Sequence, residues 1–285
     1  MPSKPIIKKS NALINASYTI TLAEQRLILL AIARADGDLG NMENLTVYAG
    51  DYADQWGVSL KTAYEALQSA ATQLFERRFT FQEETPKGLK TTVSRWVSHV
   101  AYIEGAATVE LAFAPHVRPL LCDLKEKFTH YALEQVAGLS SVHAVRLYEL
   151  LISWRSTGQT PEIEVAELRQ RLGVEETSYS RMTDFKRWVL DAAIAQINEH
   201  TDIEASYEQR KRGRRIAGFR FSFRLKRTDR DPNTLDWVNG KADAAPSDKP
   251  ARRVISKARA ESMARPGEEY PELYRRLSRE YIIKT

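Results

Sequence analysis

Apolar residues recur along this chain with two periods. Three- and four-residue spacings mark amphipathic helices. One runs from the T-L-A-E capping box at 21–24 through Arg34. A second opens at Ser59 and reaches about Arg77, with Ala63, Leu67, Ala70 and Leu74 inward. A third is capped by Ser140 or Ser141 and carries Val145, Leu147, Tyr148, Leu151 and Trp154 before Gly158. The fourth starts at Arg181, with Phe185, Val189, Ala193 and Ile197 in a row and Leu190 and Ile194 beside it. Its opposite, polar face is Ser180, Asp184, Arg187 and Asp191. Shorter helices are expected at Asp51–Trp56, closed by Gly57, and at Ala166–Leu172. A helical connector is expected over roughly Pro119–Val136.

Alternation with period two predicts strands. They fall at Leu45–Tyr48, Arg78–Gln82, Thr92–Ile103, Val109–Phe113 and Glu162–Val165. A hairpin closes the series. Its second strand sets Phe219, Phe221, Phe223 and Leu225 against Arg220, Ser222, Arg224 and Lys226. The order of helix, short strand, short helix, long helix and sheet thus occurs twice. A-G-D-Y-A-D-Q-W-G-V in the first half echoes V-A-E-L-R-Q-R-L-G-V in the second. A helix able to enter a groove, followed by a cationic two-stranded ribbon, outlines a winged-helix domain. The expected class is α+β: two tandem winged helices related as a pseudo-repeat, with a flexible C-terminal tail. The expected boundaries are a flexible arm at 1–15, a first domain at 16–136, a second at 137–227 and a linker and tail at 228–285. Within that tail the Asp-, Pro- and Ala-rich stretch 229–250 reads as linker, and a short helix is expected from about Tyr270.

Charge sharpens the picture. The 285 residues carry a formal charge of only +5. Between Ala205 and Arg227, however, Arg210, Lys211, Arg212, Arg214, Arg215, Arg220, Arg224, Lys226 and Arg227 stand against Glu208. Such a concentration favours a polyanion, and nucleic acid is the simplest one. A membrane surface fits less well, because no basic amphipathic helix with a broad apolar face lies at a terminus. The start of the chain is short and polar and no run reaches ~20 apolar residues, so a cytoplasmic protein is expected. Cys122, the one cysteine, sits beside Leu120, Leu121 and Leu124 and reads as core; it supports no disulfide framework.

No enzyme signature emerges. There is no nucleotide-binding G-x-x-x-x-G-K-[ST] loop and no G-x-S-x-G. His99, His116, His130, His143 and His200 are scattered, so neither metal nor cofactor is expected. Tyr148 reads as core rather than as a nucleophile. Arg181 and Arg187 are the candidates for guanine edges or phosphates in a major groove, and Lys186 for a contact at the domain edge. Arg210, Lys211, Arg212, Arg214 and Arg215 are candidates for phosphates beside the groove or the minor groove itself. The first domain offers Lys61, Arg77 and Arg78 on a less basic surface, and its Val93–Phe113 sheet is a candidate for either a dimer surface or an ordinary buried core.

The chain resembles the initiator proteins of iteron-containing, theta-replicating plasmids, the Rep family with two winged-helix domains. The resemblance rests on N-A-L-I-N at 11–15, L-A-E-Q-R-L at 22–27 and S-S-V-H-A-V-R-L-Y-E-L-L at 140–151. R-M-T-D-F-K-R at 181–187 and K-R-G-R-R-I-A-G-F-R-F-S-F-R at 211–224 complete it. It spans about Lys9 to Arg227 and is strongest in the second domain. It implies that the second winged helix is the main reader of origin iterons, through Arg181, Lys186 and Arg187, with Arg212, Arg214 and Arg215 as its wing. It implies further DNA contacts and a dimer interface in the first domain. Monomers would open the origin with a host initiator ATPase and replicative helicase. Dimers would bind an inverted repeat and repress the protein's own promoter. Three other readings stay open on sequence alone: a two-winged-helix transcription regulator, a metal-dependent nicking enzyme, and a protein–protein scaffold that binds no DNA.

Overall fold

A computed structural model of the chain describes residues 5–35, 44–122, 128–175, 177–226, 253–256 and 281–284. The chain divides into two compact units, Met1–Thr234 and Leu235–Thr285. The first opens with β1 (Ile6–Ser10), α1 (Asn11–Asn15) and α2 (Leu22–Arg34), followed by β2 (Leu45–Tyr48), α3 (Ala49–Trp56) and α4 (Leu60–Glu76). Strands β3 (Arg78–Thr85), β4 (Gly88–Arg95), β5 (Val97–Ile103) and β6 (Thr108–Phe113) come next. Then α5 (Arg118–Cys122), β7 (Phe128–Ala132), α6 (Glu134–Ala137) and α7 (Val142–Ile152) lead to β8 (Ile163–Glu164) and α8 (Val165–Arg171). A long helix follows in three parts: α9 (Met182–Phe185), a π-helical segment Lys186–Asp191, and α10 (Ala192–His200). The ribbon β9 (Ile203–Arg212) and β10 (Arg215–Leu225) completes the unit. In the second unit, β11 (Arg253–Ser256) and β12 (Tyr281–Lys284) pair in parallel. The expected linker and the helix from Tyr270 lie outside the described residues, as do the surroundings of Cys122.

Local chemistry accounts for the helix ends. Thr21 Oγ1 accepts from Glu24 N while the Glu24 carboxylate accepts from Thr21 N, so the capping box is complete. Ser59 accepts from Thr62 N and Ser141 from His143 N. Gly57 and Gly173 both adopt a left-handed conformation (φ +64 and +68) after their short helices, and this is the conformational basis of the Gly-Val echo. At Gly173 a β-carbon would also lie 2.6 Å from the Tyr18 carbonyl oxygen.

Strand order makes the repeat explicit. The first three-stranded sheet runs β2-β6-β5 and the second β8-β10-β9. In each, the short first strand pairs with the last strand, which also pairs with the penultimate one. The hairpin β3–β4 stands outside this pattern as a separate two-stranded sheet. The continuous strand expected at Thr92–Ile103 is therefore corrected. It breaks at Trp96, whose indole is buried edge-on to Tyr18 at 4.9 Å and against Phe79 at 5.0 Å. The chain changes sheets there because that side chain turns inward.

Two further expectations are corrected. Residues 5–15 are not a flexible arm: β1 pairs antiparallel with β7, and Ile7, Leu13 and Ile14 are buried. Polarity misled here, because Lys8 and Lys9 lie on opposite faces of a strand. The connector over 119–136 is not wholly helical either, since β7 occupies its middle. A domain boundary at 136/137 would give α7 to the second domain alone. Yet α7 is buried from Ala144 to Ile152 and packs on α10 as well as on α1 and β7. It is a shared core helix.

A charged cluster sits on that helix. Lys9 Nζ lies 2.6 Å from Glu149 Oε1, and both side chains are 0% exposed. Tyr131 and Gln25 donate to the same oxygen at 2.5 and 3.3 Å. Burial lowers the Lys9 ammonium pKa against the pull of Glu149, and it raises the Tyr131 hydroxyl. One turn away, burial pushes Arg146 down to about 10, opposed by Glu149. Arg146 donates to the carbonyls of Ala16 and Arg171 at 2.8 Å and covers the Tyr18 ring at 3.6 Å. It thereby ties the segment after α1 to the end of α8. Removing one member strands a buried charge. Lys9→Met should cost about 3–5 kcal/mol in urea unfolding, and Lys9→Met with Glu149→Gln should recover part of that loss. Equal loss in both variants would show that the charge pairing is not what matters.

Candidate nucleic-acid interface

The long helix of the second half buries Phe185, Val189, Ala193 and Ile197 at every fourth position. In a pure α-helix such a row drifts by about 40° per step. The wider i→i+5 turns of residues 186–191 absorb the drift and keep the row on the core. Leu190 is buried beside it, while Arg181, Arg187, Trp188 and Asp191 are exposed. The loop entering this helix is organised by Arg169, which donates to the carbonyls of Glu175 (3.1 Å), Ser178 and Tyr179 (3.2 Å). Its guanidinium also lies 4.9 Å from the Phe185 ring centroid. Tyr179 holds a left-handed φ of +51 in that loop.

The ribbon turns on Gly213 and Arg214, with Arg212 facing Arg215 across it. Gly213 has φ +65, the positive value that a two-residue hairpin needs at its first turn position. The pairing shifts register between Ile216 and Gly218, a bulge that increases local twist. Gly218 is required there: a β-carbon would lie 2.6 Å from the Ile163 carbonyl of β8. Helix and ribbon are joined by aromatic packing. Phe219 lies 6.3 Å from Phe185 and 5.4 Å from Tyr207 between ring centroids. Tyr207 donates to Asp191 at 2.5 Å, and Lys186 Nζ donates to Gln209 at 3.2 Å. The cationic tip begins at Arg210, the residue after this last contact.

The expected residues therefore separate into groups. Arg181 and Arg187 are exposed on the helix, and Lys211, Arg212, Arg214 and Arg215 are exposed at the tip. Among the described residues, no side-chain hydrogen bond or ion pair engages these six. Arg210 is exposed with Glu208 at 3.7 Å. Lys186 is half-buried and holds the seam. Of the other ribbon cations, Arg224 is paired with Glu204 at 2.6 Å. Lys226 caps α10 through the Asn198 and Thr201 carbonyls. Arg227 lies outside the described residues. In the first domain, Lys61 is exposed on the first turn of α4 with Glu65 at 3.9 Å, and Arg78 is exposed at the start of β3. Arg77 is committed elsewhere: it pairs at 3.0 Å with Glu24, the buried carboxylate of the capping box. Tyr148 is core, as its helical spacing indicated, and donates to Asp202 at 2.8 Å. Sequence reasoning missed Arg169 and Trp188. Trp188 was legible as an aromatic outside the apolar row; the partners of Arg169 are backbone carbonyls, which leave no mark in sequence.

Family models match two stretches that cover most of the chain. The initiator replication protein first winged-helix model matches residues 6–152, and the initiator Rep protein second winged-helix model matches 164–223. The chain belongs to the initiator Rep protein family. The first match runs through α7, in keeping with that helix serving both halves. Among Rep relatives, a replication initiation protein of Escherichia coli is 25% identical over 218 residues, covering 74% of this chain and 67% of the relative. The PI protein of Escherichia coli is 25% identical over 281 residues, covering 85% and 91%. The crystal structure of Pi initiator protein in complex with iteron DNA superposes with a TM-score of 0.65 at 22% identity, over 80% of this chain and all of that one. This last likeness carries the tandem winged-helix fold. Among the described residues no helix is long and apolar enough to cross a membrane, and no His, Cys, Asp and Glu side chains cluster as metal ligands.

Arg169→Ala should destabilise the second half by about 1.5–3 kcal/mol in chemical unfolding, the worth of charged hydrogen bonds to carbonyls. Arg169→Lys should restore only part, because an ammonium lacks the planar fork. Full restoration by lysine would show that charge alone suffices.

Proposed function

We propose that this protein initiates plasmid replication by binding the iterons of its origin as a sequence-specific, non-covalent DNA-binding protein. The observation that carries the reading is the pairing of an exposed Arg181/Arg187 helix with the ribbon tip Arg210–Arg215, locked together at Phe185, Phe219 and Tyr207. Family membership and the iteron-bound Pi initiator support it. In this reading Arg187, with Arg181, meets base edges in the major groove, where a guanidinium matches the two acceptors of guanine. Lys211, Arg212, Arg214 and Arg215 neutralise phosphates and set register without reading sequence. Lys186, which donates to Gln209, keeps two further N–H donors for a phosphate. Lys61 and Arg78 add contacts from the first domain.

Binding energy spent on holding the duplex bent or strained favours opening of a nearby A·T-rich segment. The chain does no bond-breaking chemistry in this account, and a host ATPase and helicase supply the work. Its site of action is the cytoplasm. Self-association extends the reading: a dimer would bind an inverted repeat at its own promoter. Leu89 and Val93, exposed on one face of β4, offer an apolar surface for it.

Two substitutions separate the roles. Arg187→Ala should lose about 1–3 kcal/mol of preference for repeat DNA over scrambled DNA, with nonspecific binding little changed. Arg212, Arg214 and Arg215 replaced together by Ala should weaken both DNAs alike. The same triple change should flatten the slope of log K against log salt by about 0.9 per lost phosphate contact. Filter-binding or anisotropy titrations at several salt concentrations read both. Unchanged binding to both DNAs in either variant would remove those residues from the interface.

A further inference from the structure

Trp188 is unexplained by the fold. Its side chain is 57% exposed, whereas the other described tryptophans, Trp56, Trp96 and Trp154, are buried or half-buried. It contributes nothing to the core row of its helix. It lies seven residues after Arg181 and four after Asp184, hence on their face. It also falls inside the π-helical segment, where the wider turn leaves both Arg187 and Trp188 exposed side by side. The Arg187 guanidinium rests 4.8 Å from the indole centroid, a cation–π contact that holds the two groups as one surface. Trp188 is thus a large apolar plate against the Arg187 guanidinium, on a face that also carries Arg181, Asp184 and Asp191. Beside the cationic ribbon tip that packs with this helix, it suits a partner that is anionic overall and apolar at one spot. The major groove of DNA is such a partner, because each thymine projects a C5-methyl group between the phosphate rows.

We propose that Trp188 reads a thymine, its indole packing against the C5-methyl of a T beside the base or phosphate met by Arg187. This rests on the DNA-binding reading above and adds a specificity-determining residue to it. Arg187 would then have two tasks, contacting DNA and fixing the plane of the indole. Apolar contact with the methyl distinguishes T from C and from uracil, which a guanidinium on a phosphate cannot do.

The test uses the full chain and a duplex carrying one footprinted repeat from the DNA flanking its gene. Each thymine is replaced in turn by uracil, which removes the methyl and keeps the base pair and its O4 acceptor. The wild-type protein should lose about fourfold in affinity at one thymine, the worth of one buried methyl group. Trp188→Ala should bind the unmodified repeat at least about tenfold more weakly, as loss of an aromatic anchor does. That variant should then be indifferent to uracil at the same position while keeping any sensitivity elsewhere. Trp188→Phe should retain part of the effect. Because the side chain is exposed, circular dichroism and the unfolding midpoint should be unchanged in both variants. Repeat preference without sensitivity to any uracil would overturn the assignment of Trp188 and leave the DNA-binding reading standing. The same uracil sensitivity in wild type and Trp188→Ala would do likewise. Absence of any preference for the repeat over scrambled DNA would overturn both.

Discussion

The structure of the second half depends on one seam, the aromatic packing of Phe185 on Phe219 with Tyr207 at its edge. The helix bearing Arg181, Arg187 and Trp188 and the ribbon bearing the cationic tip are separate elements. Each alone would place its charges loosely. Packing Phe185, Phe219 and Phe221 into one core removes that freedom, and the Tyr207–Asp191 and Lys186–Gln209 hydrogen bonds fix the remaining rotation. The close approach of Gly218 to β8 seats the ribbon's other edge on the sheet. Base reading requires such rigidity, because a guanidinium misplaced by an ångström loses one of its two bonds to guanine.

Cations in this protein divide by what surrounds them rather than by where they fall in sequence. Lys9 and Arg146 are buried and hold the two halves together through Glu149 and backbone carbonyls. Arg77, Arg169, Arg224 and Lys226 are absorbed by carboxylates, carbonyls or a helix end. Among the described residues, Arg181, Arg187, Lys211, Arg212, Arg214 and Arg215 face solvent with no side-chain hydrogen bond or ion pair, on one helix and one hairpin tip of the second winged helix. A formal charge of +5 therefore understates the local field, because Glu208 is the one acidic residue between Ala205 and Arg227.

Much of this was legible beforehand. Period, caps and turn glycines located the helices, and the repeated element order anticipated the matching strand orders β2-β6-β5 and β8-β10-β9. The exposure of Arg187 followed from the helical wheel. What escaped was set by tertiary contact. Polar residues 8–9 read as arm because nothing local shows that a lysine will meet a buried glutamate 140 positions away. The break at Trp96 depends on an indole packing on Tyr18 and Phe79. The π-helical segment escaped too, because rows spaced by four are also buried in the ordinary α-helix α4, at Ala63, Leu67 and Ala71. Arg77 read as a first-domain DNA contact because nothing local shows that it will pair with Glu24, 53 positions away.

In the reading proposed above, helix and ribbon grip one face of duplex DNA together. A combined footprint of the DNA flanking this gene tests it most directly, with dimethyl sulfate reporting guanine N7 in the major groove and hydroxyl radicals reporting the backbone. A joint grip should protect guanines within each repeat, bordered on the same face of the helix by protected backbone. Backbone protection with no protected guanine in any repeat, or the two kinds of protection on opposite faces, would contradict it.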